Sequence, residues 1–373
     1  MKQATKYLLN QRDLEEGDIV LTSGHSLFSW LIKRFTHCNF SHAAIYVGNG
    51  SLLESTNRYS FSKNIQRLAF DKPNMVVVLR LKDGLTVPEK QALVRFVREK
   101  VGARYSVPLA VSSVLGNLGR WVRNVLGAGI PRFLSGSQYC SHYVAEGYSK
   151  IGIVLSDRGV NCTPGDLFRS KELVHLENIV HVANVREMEI LAKKDCVYEN
   201  KKRMSKWLNK TRLLGVALGI YISDINDVRQ FLLRHRSLDH LVVGWILLSK
   251  YHSIYRNDLK ANPCRYFRGS LMGLGLSTNE LKSFVMYEWN VGYNNANRHL
   301  EEYLTYSRLY GESGLMYDRV QRLIYRGLVL QTITSLKMLY SLSAQLQIGG
   351  VNFLGVINMF YQMLHMGDML AGQ

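Results

Sequence analysis

The 373-residue sequence is poor in the features that usually mark a metal site, a nucleotide site or a disulfide framework. Its five cysteines form no CxxC pair, which argues against a zinc site and against a disulfide scaffold. The sequence contains no Walker motif, no dinucleotide-binding fingerprint and no HExxH motif. We therefore expect the protein to use neither a metal ion nor an organic cofactor.

The N-terminal residues also lack the pattern of a secretory signal peptide. The first residues include lysines, but they lack the apolar stretch and the small-residue cleavage site of a signal peptide. The expectation is a protein that stays in the cytoplasm or is delivered by a route that needs no cleaved signal. Peripheral association with a membrane is expected in either case.

Acidic residues are scarce, since 29 Asp and Glu stand against 47 Lys and Arg, and the net charge of +18 is spread over both halves. A basic balance favours an anionic partner, which is a nucleic acid, an anionic membrane or an acidic polymer. No acidic residue occurs from Lys100 to Ala145, where Arg120, Trp121 and Arg123 are surrounded by leucine and valine. This mixture is typical of a surface on lipid headgroups, so we expect contact with anionic membrane lipids and none with nucleic acid. It also fits an amphipathic helix packed on the protein core.

One cysteine and one histidine stand in patterns that suit a thiol nucleophile and its base. Cys140 begins a predicted helix, and His42 lies in a predicted strand nearly a hundred residues earlier. A helix start would place unpaired N–H groups beside the thiol, favouring the thiolate and offering an oxyanion site. In papain-like enzymes the cysteine normally comes first, so the reversed order indicates a circularly permuted site.

A third residue is expected to orient the imidazole. Gly48-Asn49-Gly50 is a strong turn signal and predicts a hairpin over residues 43–54. A three-residue loop pairs position 44 with position 54, which puts Glu54 on the same face as His42. A register slip of one residue would turn Glu54 away and leave the role to Asn57.

Two neighbours of Cys140, Tyr139 and His142, are expected to line the substrate pocket. Successive residues on a helix point about 100° apart. His142 therefore shapes the pocket and is not the base.

Six short motifs occur in an order that carries a family resemblance. They are Gly17-Asp18-Ile19-Val20, Ser41-His42 through Gly48, Leu53-Glu54-Ser55, Val101-Gly102-Ala103-Arg104-Tyr105, Tyr139-Cys140-Ser141 and Thr163-Pro164-Gly165-Asp166-Leu167. In this order, residues 16–170 resemble the permuted NlpC-like branch of the papain superfamily, which includes YiiX-type proteins and lecithin:retinol acyltransferase-like enzymes. The resemblance implies an α+β fold, a circularly permuted papain-like domain, and a cysteine hydrolase with Cys140 as nucleophile and His42 as base.

The chain changes character at a basic stretch over residues 193–206. We expect a permuted papain-like catalytic domain over residues 1–195 and a mostly α-helical second domain over residues 196–373 that contacts a membrane or a protein partner. Within it, residues 338–367 carry no formal charge. This run fits a buried helical hairpin, a membrane insertion or a hydrophobic partner interface.

Three classes of function follow from these patterns. The favoured one is a cysteine-dependent acyl hydrolase or acyltransferase that forms an acyl-thioester and acts like a phospholipase on membrane phospholipid esters. A delivered toxin or effector fits such a two-domain chain. The alternatives are an amidase or endopeptidase acting on cell-wall peptides, and a non-enzymatic protein that binds a membrane or a partner.

Overall fold

The computed structural model describes residues 5–24, 27–55, 60–101 and 136–372. The contacts within the chain divide it into two compact units. The first comprises Met1–Lys193 with Ser223–Ile225, and the second comprises Lys194–Ile222 with Asn226–Gln373. The first unit combines sheets with helices, whereas the described part of the second is helical.

The first unit is built from short strands with helices between and after them. In chain order the strands are β1 (Tyr7–Leu9), β2 (Ile19–Thr22), β3 (His42–Tyr46), β4 (Ser51–Ser55), β5 (Ser60–Asn64), β6 (Val76–Leu81), β7 (Leu173–His175) and β8 (Val180–Val182). The helices are α1 (Leu27–Thr36), α2 (Val87–Glu99), α3 (Gly136–Lys150), α4 (Pro164–Phe168) and α5 (Val185–Ala192).

A six-stranded sheet forms the centre of this unit, with the strand order β5-β4-β3-β2-β6-β7 and antiparallel pairing throughout. Strands β1 and β8 pair separately. Because side chains alternate along a strand, Ile19 and Leu21 point into one apolar cluster and Val20 into another. The first cluster also contains Leu93 of α2 and Val144 of α3, so helices cover that face of the sheet. The predicted α+β papain-like layout is confirmed.

The hairpin formed by β3 and β4 has the predicted register. Gly48, Asn49 and Gly50 have φ angles of 80°, 53° and 70°, a left-handed run that suits glycine and asparagine. The loop closes with Val47 N–H donating to Ser51 O at 2.9 Å and pairs Ala44 with Glu54. The pairing that was predicted to turn Glu54 toward His42 is therefore the observed one.

Helix α3 begins earlier than the sequence indicated. The expectation that Cys140 starts the helix is wrong, because the helix begins at Gly136 and Cys140 is its fifth residue. Only the first four N–H groups of a helix lack an intrahelical partner, so the predicted supply of free N–H groups at Cys140 is not observed. Gly136, Ser137 and Gln138 are small or polar, and the apolar periodicity that marks the helix starts only after them.

Two tyrosines of α3 anchor the helix to the rest of the unit. Tyr143 Oη donates to Val97 O on α2. Tyr148 Oη donates to Gly17 O, at 2.6 Å, just before β2. Both side chains are buried in the cluster that includes Cys140. The position of the cysteine relative to the sheet is thus fixed by hydrogen bonds as well as by apolar packing.

The second unit is an assembly of helices, as predicted. They are α6 (Cys196–Ala217), α7 (Ile225–Arg234), α8 (Asp239–Leu248), α9 (Tyr255–Ala261), α10 (Arg268–Met272), α11 (Thr278–Ser313), α12 (Met316–Gln345) and α13 (Phe353–Leu370). Helix α7 starts in the short stretch assigned to the first unit.

The uncharged run over residues 338–367 forms the end of α12, a short connection and most of α13. Leu339, Leu342, Phe353 and Phe360 pack in one buried cluster with residues of α11. The run is therefore a packed helical hairpin, one of the predicted alternatives. Over the part of the chain that the structure describes, no helix combines the length and the apolar character needed to cross a membrane.

Candidate active site

His42 and Glu54 form a hydrogen-bonded pair at the end of the hairpin. His42 Nε2 lies 2.8 Å from Glu54 Oε2, and this nitrogen donates to the carboxylate when it carries a proton. The Glu54 side chain is 9% exposed, while the His42 side chain is 28% exposed. The buried carboxylate of Glu54 therefore contacts one nitrogen of the partly buried His42 ring. This contact fixes the orientation of the ring.

Cys140 completes a chain of three side chains. Its thiol forms a hydrogen bond and a charge interaction with the His42 ring. Since Nε2 is engaged by Glu54, Nδ1 is the ring nitrogen left for the thiol. The structure thus brings together the three residues Cys140, His42 and Glu54.

The electrostatic surroundings strongly favour a protonated His42. Burial opposes the charged imidazole, but the negative charge and hydrogen bond of Cys140, with those of Glu54, outweigh it and raise the pKa of His42 to about 10. The stabilisation from protonated His42 is complete below its ordinary pKa of about 6.5 and is lost as the pH rises through about 10. At neutral pH the ring is therefore a cation beside the Cys140 side chain.

A lysine that sequence reasoning missed also approaches the pair. Lys63 Nζ lies 3.8 Å from Glu54 Oε2. Glu54 pairs with Phe61 across β4 and β5, so Lys63 is its diagonal neighbour on the same face of the sheet. Lys63 lies in no recognisable sequence motif. Its contact with Glu54 can be predicted only when the pairing register of β4 and β5 is known.

The surroundings of Cys140 are closed and polar on one side. Cys140 exposes no surface, so the imidazole is the part of the pair that reaches the protein surface. His142 has its Nδ1 2.8 Å from Val160 O. Ser141 Oγ donates to Cys162 O at 2.6 Å. His142 thus contacts the main chain at Val160, and its expected role in the substrate pocket stays a prediction.

The remaining predicted contacts are only partly covered by the structure. Tyr139 lies in α3 directly before Cys140. Arg120, Trp121 and Arg123 lie outside the described residues, as does Asn57. Their predicted roles remain predictions.

No group of three His, Cys, Asp or Glu side chains within the described ranges is arranged to hold a metal ion. The interactions of the cluster around Cys140 are those of an acid–base and nucleophile set. Such an arrangement can transfer a proton between a thiol and an imidazole, with a carboxylate that stabilises the imidazolium.

Residues 13–113 match the model of a family described as permuted papain-like amidase enzymes, YaeF/YiiX, C92. The N-terminal unit is a permuted papain-like domain. The matched range contains His42 and Glu54 and ends before Cys140. The match supports a function of cysteine-hydrolase type for this domain.

A solved structure also resembles part of this chain. The crystal structure of metalloprotein yiiX from Escherichia coli O157:H7 is similar at 18% sequence identity, with a TM-score of 0.26. The similarity covers 43% of this chain and 96% of the other. No curated protein matches the sequence of this chain.

Proposed function

We propose that the permuted papain-like domain is an acyl hydrolase or acyltransferase that works through a thioester on Cys140, with the acyl esters of membrane phospholipids as its substrates. The observation that carries the proposal is the continuous contact from Cys140 to His42 to Glu54. A lone buried cysteine is usually a small apolar residue, whereas a cysteine bonded to an oriented and protonated histidine is equipped to attack.

The reaction follows from the positions of the protons. His42 takes the thiol proton of Cys140 on its Nδ1 atom, and Cys140 Sγ attacks the ester carbonyl carbon. The tetrahedral intermediate then breaks its bond to the alcohol oxygen, and His42 gives its Nδ1 proton to that oxygen as the alcohol leaves. Water attacks the thioester while His42 accepts its proton, which releases the fatty acid, and return of that proton to sulfur restores the resting site. An alcohol or amine in place of water makes the same site a transferase.

Two observations favour lipid as the source of the acyl group. The net charge of +18 suits an anionic surface, and the basic apolar segment around Arg120 suits lipid headgroups. The amidase alternative is favoured by the description of the matched family. Esters and amides both pass through a tetrahedral intermediate at a thiol, so the three side chains alone serve either substrate.

The test is product analysis with the full chain. Lipid extracts and cell-wall muropeptides are incubated separately with wild-type protein and with Cys140→Ala, and the products are identified by mass spectrometry. Lysolipid and free fatty acid that depend on Cys140 support the proposal. Cleaved stem peptides that depend on Cys140 support the amidase alternative instead, and no Cys140-dependent product at all leaves a non-enzymatic binding protein.

Replacement of Glu54 should distinguish its effect on the orientation of the His42 ring from the effect of its negative charge. Glu54→Gln keeps an acceptor for His42 and should lower kcat about tenfold, whereas Glu54→Ala should lower it about a hundredfold. Loss of the carboxylate charge lowers the pKa of His42, so the alkaline limb of the pH–rate profile, near pH 10 in the wild type, should move to lower pH in both variants.

A matched control exists in the same unit. His181 Nε2 lies 2.8 Å from Glu187 Oε1, a similar pair away from Cys140. Glu187→Gln should leave both the rate and the pH profile unchanged. Wild-type rates in both Glu54 variants would show that Cys140 and His42 act as a dyad.

Reversal of charge in the segment before α3 tests the proposed membrane contact. Each arginine near an anionic surface contributes about 1 kcal/mol, so Arg120→Glu with Arg123→Glu should weaken vesicle binding by at least about tenfold. Salt should weaken wild-type binding in the same direction. The measurement is co-sedimentation with vesicles of varied anionic lipid content, with turnover of a short soluble thioester as the control. Binding that ignores both charge reversal and salt would contradict a membrane contact here.

A further inference from the structure

A cavity of about 380 Å³, lined by Met75 and by six polar or charged residues, lies in the first unit, outside the contact of Cys140 with His42. Its volume falls in the range of ordinary ligand sites, about 300 to 1,000 Å³. Its polar lining comes from the residues Ser23, Lys33, Asn39, Asp71, Lys72 and Asn74. The lining is thus richer in cations and neutral donors than in acids.

The cavity is at the same end of the sheet as His42. Thr22, the last residue of β2, pairs with His42 on one side and with Val76 on the other. Ser23 follows Thr22 directly, and its N–H donates to Met75 O at 2.8 Å. Neighbouring strands are about 5 Å apart and successive residues about 3.3 Å, so the cavity wall begins within about 10 Å of the His42 backbone.

Hydrogen bonds link the wall of the cavity to the residue before His42. Gly24 N–H donates to Ser41 Oγ at 3.1 Å. Ser41 is itself buried. The loop after β2 that carries Ser23 is therefore tied to the start of β3, and the cavity and the imidazole are held by the same short segment.

The two lysines give the cavity a net positive charge. Lys33 Nζ donates to Ser23 Oγ at 3.1 Å and to Gly24 O at 3.2 Å. An ammonium group has three N–H donors, so one remains after these two bonds. Asp71, the acid in the lining, is neutralised by Lys6 at 2.6 Å. With the residues the structure describes, neither Lys33 nor Lys72 forms an ion pair.

We propose that this cavity binds the phosphate of a glycerophospholipid while Cys140 attacks one of its acyl esters, an inference that rests on the proposed function. Ammonium groups and the neutral amides of Asn39 and Asn74 are suitable partners for phosphate oxygens, and bonds from charged donors are the stronger ones. A short glycerol linker joins the phosphate to the ester, which matches two sites at one end of a sheet. Lys33 and Lys72 thus determine which acyl esters are substrates.

The test compares two lipids with identical short acyl chains, phosphatidylglycerol and uncharged diacylglycerol. With Lys33→Gln and Lys72→Gln combined in the full chain, KM for phosphatidylglycerol should rise at least about tenfold, while kcat stays near the wild-type value. Turnover of diacylglycerol should change little, which also shows that the double variant is folded. Lys82→Gln is the matched control, because Lys82 is exposed and follows β6 at the opposite end of that strand.

The phosphate site and the proposed function are contradicted by different outcomes. An unchanged KM for phosphatidylglycerol in the double variant, or an equal loss on both lipids, overturns the phosphate site. If the wild type cleaves neither lipid, the proposed function fails, and calorimetric titration with glycerol 3-phosphate then decides on the cavity. Binding to the wild type that the double variant loses supports a phosphate site, and no binding to the wild type overturns it. Lysine-dependent cleavage of muropeptides without binding of glycerol 3-phosphate would assign the cavity to a peptide carboxylate and overturn the phosphate assignment.

Discussion

Turnover of an acyl substrate should fall by about a thousandfold or more when Cys140 is replaced by alanine. The variant lacks the sulfur atom that forms the proposed thioester. The reaction would then have to proceed in one difficult step instead of two easier ones. His42→Ala should cause a loss of similar size, because the cation that faces the thiol disappears with the base. The measurement is kcat on a soluble thioester, together with mass spectrometry of the trapped acyl-enzyme.

Cys162→Ala is the matched control for this loss. Cys162 is as buried as Cys140 and belongs to the same apolar cluster. Burial, with the charges of Asp166 and Cys140, raises the pKa of Cys162 to about 12, so this thiol stays protonated and is a poor nucleophile. Its replacement should keep turnover within about threefold of the wild type. An acyl adduct on Cys162, or a Cys140→Ala variant that keeps a substantial fraction of its rate, would refute the assignment.

Removal of the Asp18 carboxylate should lower the free energy of unfolding of the first unit by about 3 kcal/mol. Asp18 is 1% exposed and accepts two hydrogen bonds of 2.7 Å from the Nε and Nη2 atoms of Arg80. This bidentate pair joins the start of β2 to β6, the two strands that meet beside His42. Asp18→Ala leaves the guanidinium without its buried partner, and a buried ion pair that loses one member is costly.

Glu15→Ala is the control for the effect of Asp18. Glu15 pairs with the same arginine at 2.7 Å, but its side chain is 51% exposed, so its loss should cost less than about 1 kcal/mol. Hydrogen–deuterium exchange of the amides in β2 and β6 reports the stability of this unit separately from the second one. Equal destabilisation by the two variants would mean that burial does not determine the strength of the pair.

The hairpin formed by β3 and β4 is the part of the candidate site that was predicted best from the sequence. Three residues that tolerate a left-handed backbone, Gly48, Asn49 and Gly50, specify the loop length, and the loop length specifies the pairing of Ala44 with Glu54. The contact between His42 and Glu54 follows from this local information. The helical second half was predictable for a similar reason, since the periodicity of its apolar residues is local.

Contacts between strands that are far apart in the sequence could not be predicted from sequence patterns. The cavity at Ser23 exists because β2 pairs with β3 on one side and with β6 on the other, which brings Lys33 near Lys72. The contact between Asp18 and Arg80 has the same origin. The start of α3 was missed because Gly136 and Ser137 carry no apolar signal and resemble loop residues.

The order of the chain separates the assembly of the base from the appearance of the nucleophile. His42 and Glu54 lie on one hairpin, whose contacts are local, whereas Cys140 follows about a hundred residues later. Local contacts form early in folding, and domains fold largely from the N-terminus during synthesis. The contacts that orient His42 therefore come from one short segment, whereas the contact with Cys140 needs a residue made about a hundred positions later. Docking of α3 through Tyr143 and Tyr148 is then the event that brings the thiol to the imidazole, so a chain that misfolds before this step lacks the proposed site.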